Sequence, residues 1–320
     1  MTEGLSHLRH LDISRNKLRG EVHFSRLKNL TYLDVSHNDI ESLQMTPLSS
    51  LENLNCSYNK LRCITLNSIK LRSVLCHHNE LLQVQFPGSL EQLEEFGASH
   101  FFKKKRPLLS LVKLGNNQIH KLPELNKEVP LRKLLLENNL LAELPEAFFD
   151  YLPRLDELNV THNQLTDLPL PTSKQNLSLR KLFLSANRLR ENVFELLRVC
   201  PRLQVLHVGY NLLTKLPDHI FKATPDLQQM SLAGNRLQSI EKLSNVPKLQ
   251  FLYLHSNKLT TVPNFSSHAS LRVLDISCTK LNKVNLAFLV TPDLRHLDIS
   301  LTRIFKWNQM TFSSFVQNEM

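Results

Sequence analysis

The stretch LRHLDISRNKL (Leu8–Leu18) contains the pattern that the rest of the chain repeats. It fits the frame L-x-x-L-x-L-x-x-N-x-L, in which two inward aliphatic residues flank one outward residue and an asparagine turns the chain. The asparagines of the successive frames are Asn16, Asn38, Asn59, Asn79, Asn117, Asn139, Asn163, Asn187, Asn211, Asn235 and Asn257, and Thr279 and Thr302 take their place in the last two. Apart from one gap, the spacing runs from 20 to 24 residues, which is the leucine-rich-repeat period.

This repetition predicts an α/β repeat solenoid. We expect a leucine-rich-repeat horseshoe with a concave parallel sheet and a convex side of short helices and extended turns. A single unit cannot bury its leucine row alone, so stacked neighbours supply the core. We predict one repeat domain over residues 1–305, with about 13 or 14 units and a degenerate stretch at 93–110. Residues 306–320 are then a C-terminal tail.

The gap in the spacing lies between Asn79 and Asn117, which are 38 residues apart. That distance is too long for one unit and too short for two. The interval holds a basic run, Lys103, Lys104, Lys105 and Arg106, which could bind an anionic lipid or a phosphorylated partner at a membrane periphery. A solvated loop beside an irregular unit explains the same residues.

Composition excludes several functional classes. The hydrophobic content of 42% is enough for a core, and no apolar run approaches the roughly 20 residues that span a bilayer. The formal net charge of +10 suits an acidic partner only if the charge is concentrated on one surface. Because the ends of the outward row described below are acidic, we expect no nucleic-acid binding. The lack of a long apolar run predicts no transmembrane segment.

The cysteines and the first residues favour an intracellular protein. The chain as given starts without a basic and then apolar leader, so we expect it in the cytoplasm, with membrane-peripheral and nuclear positions open. Cys56 and Cys76 stand where neighbouring frames carry a core aliphatic residue, and no C-x-x-C pair exists, so free thiols are expected. Five N-x-[ST] sequons would instead favour glycosylation outside the cell, although an Asn-rich chain produces such triplets by chance; they begin at Asn29, Asn55, Asn159, Asn176 and Asn264.

Catalysis finds no support in the sequence. The chain has seven scattered glycines and none of the glycine-rich loops that cradle phosphate groups. A two-metal phosphatase needs converging carboxylates, usually near Asp-Gly turns, and the chain contains no Asp-Gly dipeptide. We therefore expect no catalytic residue, no metal site, no cofactor and no enzyme activity within these residues.

Binding is the function that remains, and the frame predicts where it takes place. The outward residues between the inward positions are Asp12, Asp34, Asn55, Leu75, Lys113, Leu135, Asn159, Phe183, His207, Ser231, Tyr253, Asp275 and Asp298. With the flanking outward places, a protein-binding surface is predicted on the concave face at Phe183, His207, Tyr210, Phe251, Tyr253, His255, Asp275 and Asp298. The alternative role of these aromatic residues is cross-strand packing that stabilises the sheet.

One stretch resembles a known family. The sequence LFLSANRLRENVFELL at 182–197, continuing with CPRLQVLHVGYN at 200–211, looks like the corresponding part of the PH-domain leucine-rich-repeat protein phosphatases. Units around Leu54–Leu61 and Leu71–Leu81 are similar to that family's compact repeats, and the resemblance covers roughly Leu30 to Leu281. Family members add a PH domain and a metal-dependent PP2C-type phosphatase domain, and they dephosphorylate AGC kinases such as Akt and protein kinase C.

Neither of those domains is present in the 320 residues, so no catalytic residue can be carried over. The resemblance implies a substrate-docking and regulatory repeat region that acts in signal transduction, with AGC kinases as partners. Two other functions stay open. One is a free-standing intracellular scaffold of kinase or Ras-pathway signalling, and the other is a fragment of an extracellular receptor ectodomain.

Overall fold

The computed structural model describes residues 7–24, 27–44, 48–65, 68, 70–85, 109–173, 175–217, 220–240, 243, 246–262, 264–265, 268–282 and 291–304. The chain divides into two compact units, unit 1 at Met1–Leu179 and unit 2 at Arg180–Met320. Each consists of short parallel strands joined by turns, so the predicted parallel-sheet solenoid is confirmed. The tail at 306–320 lies outside the described residues, and the boundary at 305 stays a prediction.

Unit 1 contains a main sheet and two small sheets. Its strands are β1 (His10–Asp12), β2 (Arg19–His23), β3 (Tyr32–Asp34), β4 (Asp39–Gln44), β5 (Asn53–Asn55), β6 (Cys63–Thr65), β7 (Ser73–Leu75), β8 (Gln83–Gln85), β9 (Leu111–Lys113), β10 (Lys133–Leu135) and β11 (Glu157–Asn159). The main sheet has the order β1-β3-β5-β7-β9-β10-β11. The pairs β2–β4 and β6–β8 form the two small parallel sheets in the segments that follow the turns.

Unit 2 also consists of stacked parallel strands, and short helices connect some of them. Its strands pair in chain order and are β12 (Lys181–Phe183), β13 (Val205–His207), β14 (Gln229–Ser231), β15 (Phe251–Tyr253), β16 (Val273–Asp275) and β17 (His296–Asp298). Two 3₁₀ helices, Glu191–Val199 and Ile220–Ala223, connect strands of this unit. Their rings Phe194 and Phe221 are buried and meet edge to face with centroids 6.1 Å apart, so these phenylalanines belong to the core.

Alternation along the strands separates the core from the sheet face. In the three-residue strands from β3 to β16 the middle residue is at most 2% exposed. In β12, for example, Leu182 and the following Leu184 are fully buried, whereas Phe183 between them is half-buried on the opposite face. Successive side chains of a strand point to opposite faces, so the inward and outward places predicted from the frame are confirmed.

The frame asparagine joins each turn to the turn before it. The Asn211 side chain donates to Val208 O and Gly209 O in its own turn, at 3.1 and 3.0 Å. It also donates to Leu184 O (3.0 Å) and accepts from Leu189 N (2.9 Å), both in the preceding turn. The same four contacts recur at Asn38, Asn59, Asn79, Asn117, Asn139, Asn163, Asn235 and Asn257.

The irregular interval does not interrupt the main sheet. Strand β7 pairs directly with β9, with Leu75 opposite Lys113, and Asn117 Oδ1 accepts from Leu81 N at 3.0 Å. The turns that carry Asn79 and Asn117 are therefore neighbours despite their separation in sequence. The predicted degenerate unit falls outside the described residues except for 109 and 110, and the basic run at 103–106 lies entirely outside them.

Cys56 and Cys76 form a disulfide, so the expectation that both are free thiols is wrong. Strands β5 and β7 pair in register with Asn55 opposite Leu75, and each cysteine is the residue directly after its strand. This stacking places the two Cα atoms 4.9 Å apart, within the roughly 4.4 to 6.8 Å that a disulfide spans. Both cysteines are fully buried, so the bond joins two turns inside the core.

The other cysteines are free. Cys63 and Cys278 are exposed and Cys200 is buried. Burial raises the pKa of the Cys200 thiol to about 12, and its sulfur lies 3.2 Å from Leu196 O. Cys200 is therefore an unreactive core residue, as small buried thiols usually are.

Removing the side-chain amide of a frame asparagine should remove the hydrogen bonds that join two neighbouring turns. We expect Asn211→Ala to lower the free energy of unfolding by about 3 kcal/mol, because it leaves buried backbone groups of Leu184 and Leu189 without partners. Urea unfolding of the variant measures the loss. Asn192→Ala, at an exposed position of a 3₁₀ helix, is the matched control and should leave the midpoint almost unchanged. Equal midpoints for the two variants would contradict the linking role.

The disulfide should stabilise unit 1. Replacing Cys56 and Cys76 together by Ala is expected to cost about 3 kcal/mol of unfolding free energy, since the unfolded chain loses a crosslink. Cys63→Ala removes an exposed free thiol and is the control. Thiol counting of the denatured, unreduced protein should find three reactive cysteines, and five would show that the bond is absent.

Candidate protein-binding face

The candidate site lies on the sheet face of unit 2. Parallel pairing brings the third residues of its strands side by side in the order Phe183, His207, Ser231, Tyr253, Asp275 and Asp298. A second column holds the first residues of the same strands, in the order Lys181, Val205, Gln229, Phe251, Val273 and His296. Neighbouring strands are about 4.8 Å apart, so each column is a continuous row of side chains.

Phe183 and His207 form the first ring pair of the face. Their ring centroids are 5.1 Å apart in an edge-to-face arrangement. Nε2 of His207 lies 2.9 Å from the side-chain amide nitrogen of Gln229. Burial lowers the pKa of His207 below its ordinary value of 6.5, because desolvation disfavours the imidazolium. The imidazole is therefore a neutral polar group in an aromatic setting.

Tyr210 and His255 form the second ring pair. Tyr210 follows the strand β13, has φ of 54° and is 57% exposed. Its ring lies across Gly234 so closely that a Cβ at that position would come within 2.4 Å of Tyr210 Cδ1. The Tyr210 and His255 centroids are 6.1 Å apart. Gly234, with φ of 65°, thus provides both the backbone turn and the space for the ring.

The side chains of Phe251 and Tyr253 project from the same side of β15. Leu252 between them is fully buried, whereas the two rings are half-buried on the face. Tyr253 stands between Ser231 and Asp275 in register. Ser231 therefore separates the Tyr253 ring from His207, and the aromatic surface is a set of neighbouring rings around a small polar residue.

The end of the column is acidic. Asp275 and Asp298 are direct neighbours in the register. Each accepts a backbone hydrogen bond from the serine two residues later through Oδ1, at 3.0 Å for Asp275 and 2.8 Å for Asp298. The bond from the Ser300 amide holds the pKa of Asp298 below its ordinary value, with smaller contributions from His296 and His255. Asp298 is consequently an anion at neutral pH.

The structure thus brings together residues that are far apart in sequence. Six of the eight residues of the predicted surface stand in the two outward columns of unit 2, and Tyr210 and His255 lie in the turns that follow β13 and β15. Their role in binding remains a prediction. The second predicted site, the basic run at 103–106, lies outside the described residues.

Sequence reasoning missed a stack of rings in unit 1. His37, Tyr58 and His78 each precede a frame asparagine and have φ of 54°. The Tyr58 ring stacks on both imidazoles with centroid distances of 4.3 Å. Tyr58 also meets His77 edge to face at 5.3 Å. In three successive frames the residue directly before the asparagine carries an aromatic or imidazole ring. This recurrence in the sequence is the signal that predicts the column.

The described residues contain no group of three or more His, Cys, Asp or Glu side chains arranged to hold a metal ion. Within the same ranges, no helix is both long enough and apolar enough to cross a membrane.

Comparison with known proteins gives relatives of the same repeat type. A family model described as Leucine rich repeat matches residues 1–40, 130–189 and 201–259. Lumican of Oryctolagus cuniculus is 33% identical over 167 residues, which are 51% of this chain and 79% of that sequence. Osteomodulin of Rattus norvegicus is 30% identical over 174 residues, again 51% of this chain but only 38% of osteomodulin. The chain thus spans less than half the length of that relative.

Solved structures share the fold at lower identity. The Toll–Spatzle complex of Drosophila matches with a TM-score of 0.68 and 24% identity, over 92% of this chain and 39% of that chain. YopM from Yersinia pestis matches with 0.65 and 22%, over 92% and 78%. InlJ from Listeria monocytogenes, whose functional domain includes a cysteine ladder, matches with 0.65 and 19%, over 95% and 65%. These likenesses establish the fold alone.

The relatives correct two expectations and confirm a third. The resemblance to the PH-domain leucine-rich-repeat phosphatases is wrong, because the relatives are osteomodulin and lumican, and AGC kinases lose their support as partners. The leucines and asparagines of the quoted stretches are residues that every such solenoid needs, so they do not distinguish one family from another. The cytoplasmic location is wrong as well, since osteomodulin and lumican are secreted proteins of the extracellular matrix. They are non-enzymatic binding modules, which confirms the expectation of a binding module for the residues that they match.

The buried imidazole of the face should make stability depend on pH. Unfolded His207 takes up a proton near pH 6.5, whereas folded His207 does so only at lower pH. Its contribution to stability is therefore complete above pH 6.5 and declines as the pH falls towards its folded pKa. We expect His207→Gln to lose less stability than the wild type between neutral pH and about pH 5, as measured by urea unfolding. A His296→Gln variant removes an exposed imidazole for comparison, and an unchanged pH dependence in His207→Gln would contradict the prediction.

Proposed function

We propose that this chain, which belongs to the leucine-rich-repeat family, is the partner-binding repeat region of an extracellular protein and docks a protein ligand on the sheet face of unit 2. The whole protein is then a matrix protein or a receptor with such an ectodomain. That the chain is a protein-interaction module follows from its fold and its relatives. The location, the face and the kind of ligand are the proposal.

The extracellular location is supported by two independent features. Lumican and osteomodulin are secreted, and they match half of the chain. The Cys56–Cys76 disulfide is of a kind that forms and persists in oxidising compartments and is rare where cells keep thiols reduced. In a reducing cytosol the two thiols stay reduced, so no crosslink forms and the two turns gain no stability from it.

The observation that carries the docking face is the exposed ring of Tyr210. Tyr210 is 57% exposed, although its ring is large and apolar. Its φ of 54° is the value that the residue before the frame asparagine takes in turn after turn, so the backbone here belongs to the repeat and the exposed ring is the distinguishing feature. Its ring is nonetheless fixed in place, across Gly234 and beside His255. Tyrosine is one of the residue types enriched among the hot spots of protein interfaces, so a ring that is fixed in place and open to solvent supports a docking role.

The surroundings of the rings indicate the chemistry of the ligand. Half-buried rings occupy the middle of the face, and the paired carboxylates Asp275 and Asp298 form one end of its column. A segment that fits places an apolar or aromatic side chain among the rings and a basic side chain near the carboxylates. The first contact supplies affinity by desolvation, while the second fixes the orientation and speeds association.

Substitutions on the face should abolish binding without unfolding the chain. We expect the double variant Phe183→Ser and Tyr253→Ser to lose capture of proteins that the wild-type chain retains from conditioned medium. For each purified captured protein, the dissociation constant should rise at least about 30-fold, since truncating one hot-spot ring costs about 2 kcal/mol or more. Biolayer interferometry with the immobilised 320-residue chain measures this rise.

Tyr151→Ser is the matched control, because Tyr151 is a half-buried tyrosine in the segment before β11 and lies off the sheet face. It should bind every captured protein as the wild type does. Urea unfolding establishes that both variants are folded. If the double variant and the control bind equally well, the sheet face of unit 2 is not the docking surface.

A further inference from the structure

We propose that a column of basic side chains on unit 2 binds a sulfated glycosaminoglycan, a linear polyanion found outside cells. The basic column consists of the cations that directly follow the frame asparagine or threonine, namely Arg188, Arg236, Lys258, Lys280 and Arg303. The inference rests on the extracellular location in the proposed function but concerns residues other than those of the docking face. It is carried by the register of the five residues, by their exposure and by the charges of their surroundings.

The cations of the basic column are neighbours because the turns are stacked in register. The backbone N–H of Lys258 donates to the carbonyl of the residue after Arg236 at 2.9 Å. In the same way, Arg303 donates to the carbonyl of the residue after Lys280 at 2.8 Å. Strands β15 and β16 pair in register and join these two pairs of turns. With about 4.8 Å between neighbouring turns, the four cations from Arg236 to Arg303 extend over about 14 Å.

The side chains of the basic column are exposed and unpaired. All five cations are exposed, and the sixth place of the column is taken by the half-buried Leu212. None of the five forms an ion pair with a carboxylate of the described residues. Lys248 of the same unit, by contrast, lies 2.6 Å from Asp226. Like charges in such a row repel one another, and an anionic ligand that lies along the row removes this repulsion.

The same place in unit 1 has a different pattern of charge. The residues after its frame asparagines are Lys17, Asp39, Lys60, Glu80, Gln118, Leu140 and Gln164. Positive and negative charges alternate in the first four, and Lys60 Nζ pairs with Asp39 Oδ1 at 2.8 Å. Glu80 pairs with Arg62 at 3.6 Å. The repeat therefore does not require a cation at this place, and the basic column is a feature of unit 2 rather than of the fold.

The dimensions of the basic column suit an extended sulfated polysaccharide. Such a polymer carries sulfates or carboxylates on successive sugars, and one sugar is about as long as the spacing between two turns. Its anionic groups can thus meet successive cations, and the arginine guanidinium can bind two sulfate oxygens at once. The exposed residues two places after three of the cations carry amides or a hydroxyl that can bond to sugar hydroxyls; they are Gln238, Thr260 and Asn282.

The surroundings of the basic column favour a polysaccharide over a nucleic acid. Proteins that bind single strands combine cations with aromatic side chains on which the bases stack. The places two residues before and after Lys258 and Lys280 are occupied by Ser256, Thr260, Cys278 and Asn282. These four residues are exposed and carry no ring, so bases would find no stacking surface beside the two lysines.

Affinity is tested with the full 320-residue chain and a heparan sulfate decasaccharide, by isothermal titration calorimetry at physiological salt. We expect the triple variant Lys258→Gln, Lys280→Gln and Arg303→Gln to raise the dissociation constant at least about tenfold. The dependence of affinity on salt should also become weaker, because fewer cation contacts release fewer counterions. A wild-type chain that does not bind the decasaccharide would overturn the inference.

The triple variant Lys121→Gln, Arg154→Gln and Lys222→Gln is the matched control. It removes the same charge, from two lysines and one arginine, at exposed positions outside the basic column. Its affinity for the decasaccharide should equal that of the wild type, and urea unfolding establishes that both variants are folded. Equal weakening in the two variants would show that net charge alone attracts the polymer, and it would overturn the assignment of the basic column.

The class of ligand is tested by competition against the sulfated decasaccharide. We expect its desulfated form, a single-stranded DNA of equal charge and vesicles that contain phosphatidylserine to bind at least about tenfold more weakly. A vesicle surface attracts exposed cations as well, so this comparison decides between the two. DNA or vesicles that bind as tightly as the sulfated decasaccharide would overturn the assignment to a sulfated glycan.

Lysine acetylation of the wild type tests the same contact without any substitution, should the triple variant not fold. Saturation with the decasaccharide should lower the acetylation of Lys258 and Lys280 several-fold, as measured by peptide mass spectrometry. Lys121 and Lys222 should react equally with and without it. Unchanged acetylation of Lys258 and Lys280 in the presence of bound decasaccharide would overturn the inference.

Failure of this inference is distinguishable from failure of the proposed function. The basic-column variant should retain every captured protein, and the Phe183→Ser and Tyr253→Ser double variant should bind the decasaccharide as the wild type does. A chain that binds the decasaccharide but whose double variant loses no protein ligand keeps the basic column and loses the docking face. The opposite result keeps the docking face and overturns the basic column.

Discussion

The buried frame asparagine is the interaction on which the rest of the structure depends. Its amide bonds two carbonyls of its own turn, and it also bonds a carbonyl and an N–H of the turn before, as Asn211 does with Leu184 and Leu189. Each turn is therefore held in a fixed register on its predecessor. That register aligns the buried leucines into a core and the outward residues into columns. The disulfide and the aromatic face are both consequences of columns in register.

The end of the series illustrates the same dependence. Where Thr279 and Thr302 replace the asparagine, each hydroxyl donates to the carbonyl three residues earlier, at 2.8 and 3.0 Å. A hydroxyl has one proton to donate, whereas the amide has two and an acceptor besides. The middle residue Leu297 of β17 is also only half-buried, in contrast to Leu274 of the neighbouring β16, which is fully buried. Stability in a solenoid is a sum over neighbouring turns, so such units contribute less to it.

Much of the fold could be predicted from the sequence, because period and burial follow from local physics. The frame placed Phe183 outward between Leu182 and Leu184, and the structure confirms it. Contacts that depend on the register between neighbouring turns are harder to predict from one repeat at a time. Cys56 and Cys76 are an example, because they occupy the same place in adjacent turns and are bonded. Location and family were wrong for a related reason: the first residues and the common Leu and Asn frame carry little information about either.

The two units use one scaffold for different surfaces. On unit 2 the outward column presents rings and an acidic end, while on unit 1 it includes sequon asparagines bonded to neighbouring carboxylates. In a solenoid the outward residues can change without disturbing the core, which is how one fold serves many partners. The rigid strands hold these side chains in place before a ligand arrives, and preorganisation of this kind lowers the entropic cost of binding.

The central claim is that a protein ligand rests on the rings of unit 2. Photo-crosslinking from p-benzoylphenylalanine in place of Tyr253 tests it most directly, with the same residue in place of Tyr151 as the reference. We expect irradiation in conditioned medium to give a discrete adduct with one or more proteins from position 253 and none from position 151. Folded protein that yields no adduct from 253, or the same adducts from both positions, would contradict the claim.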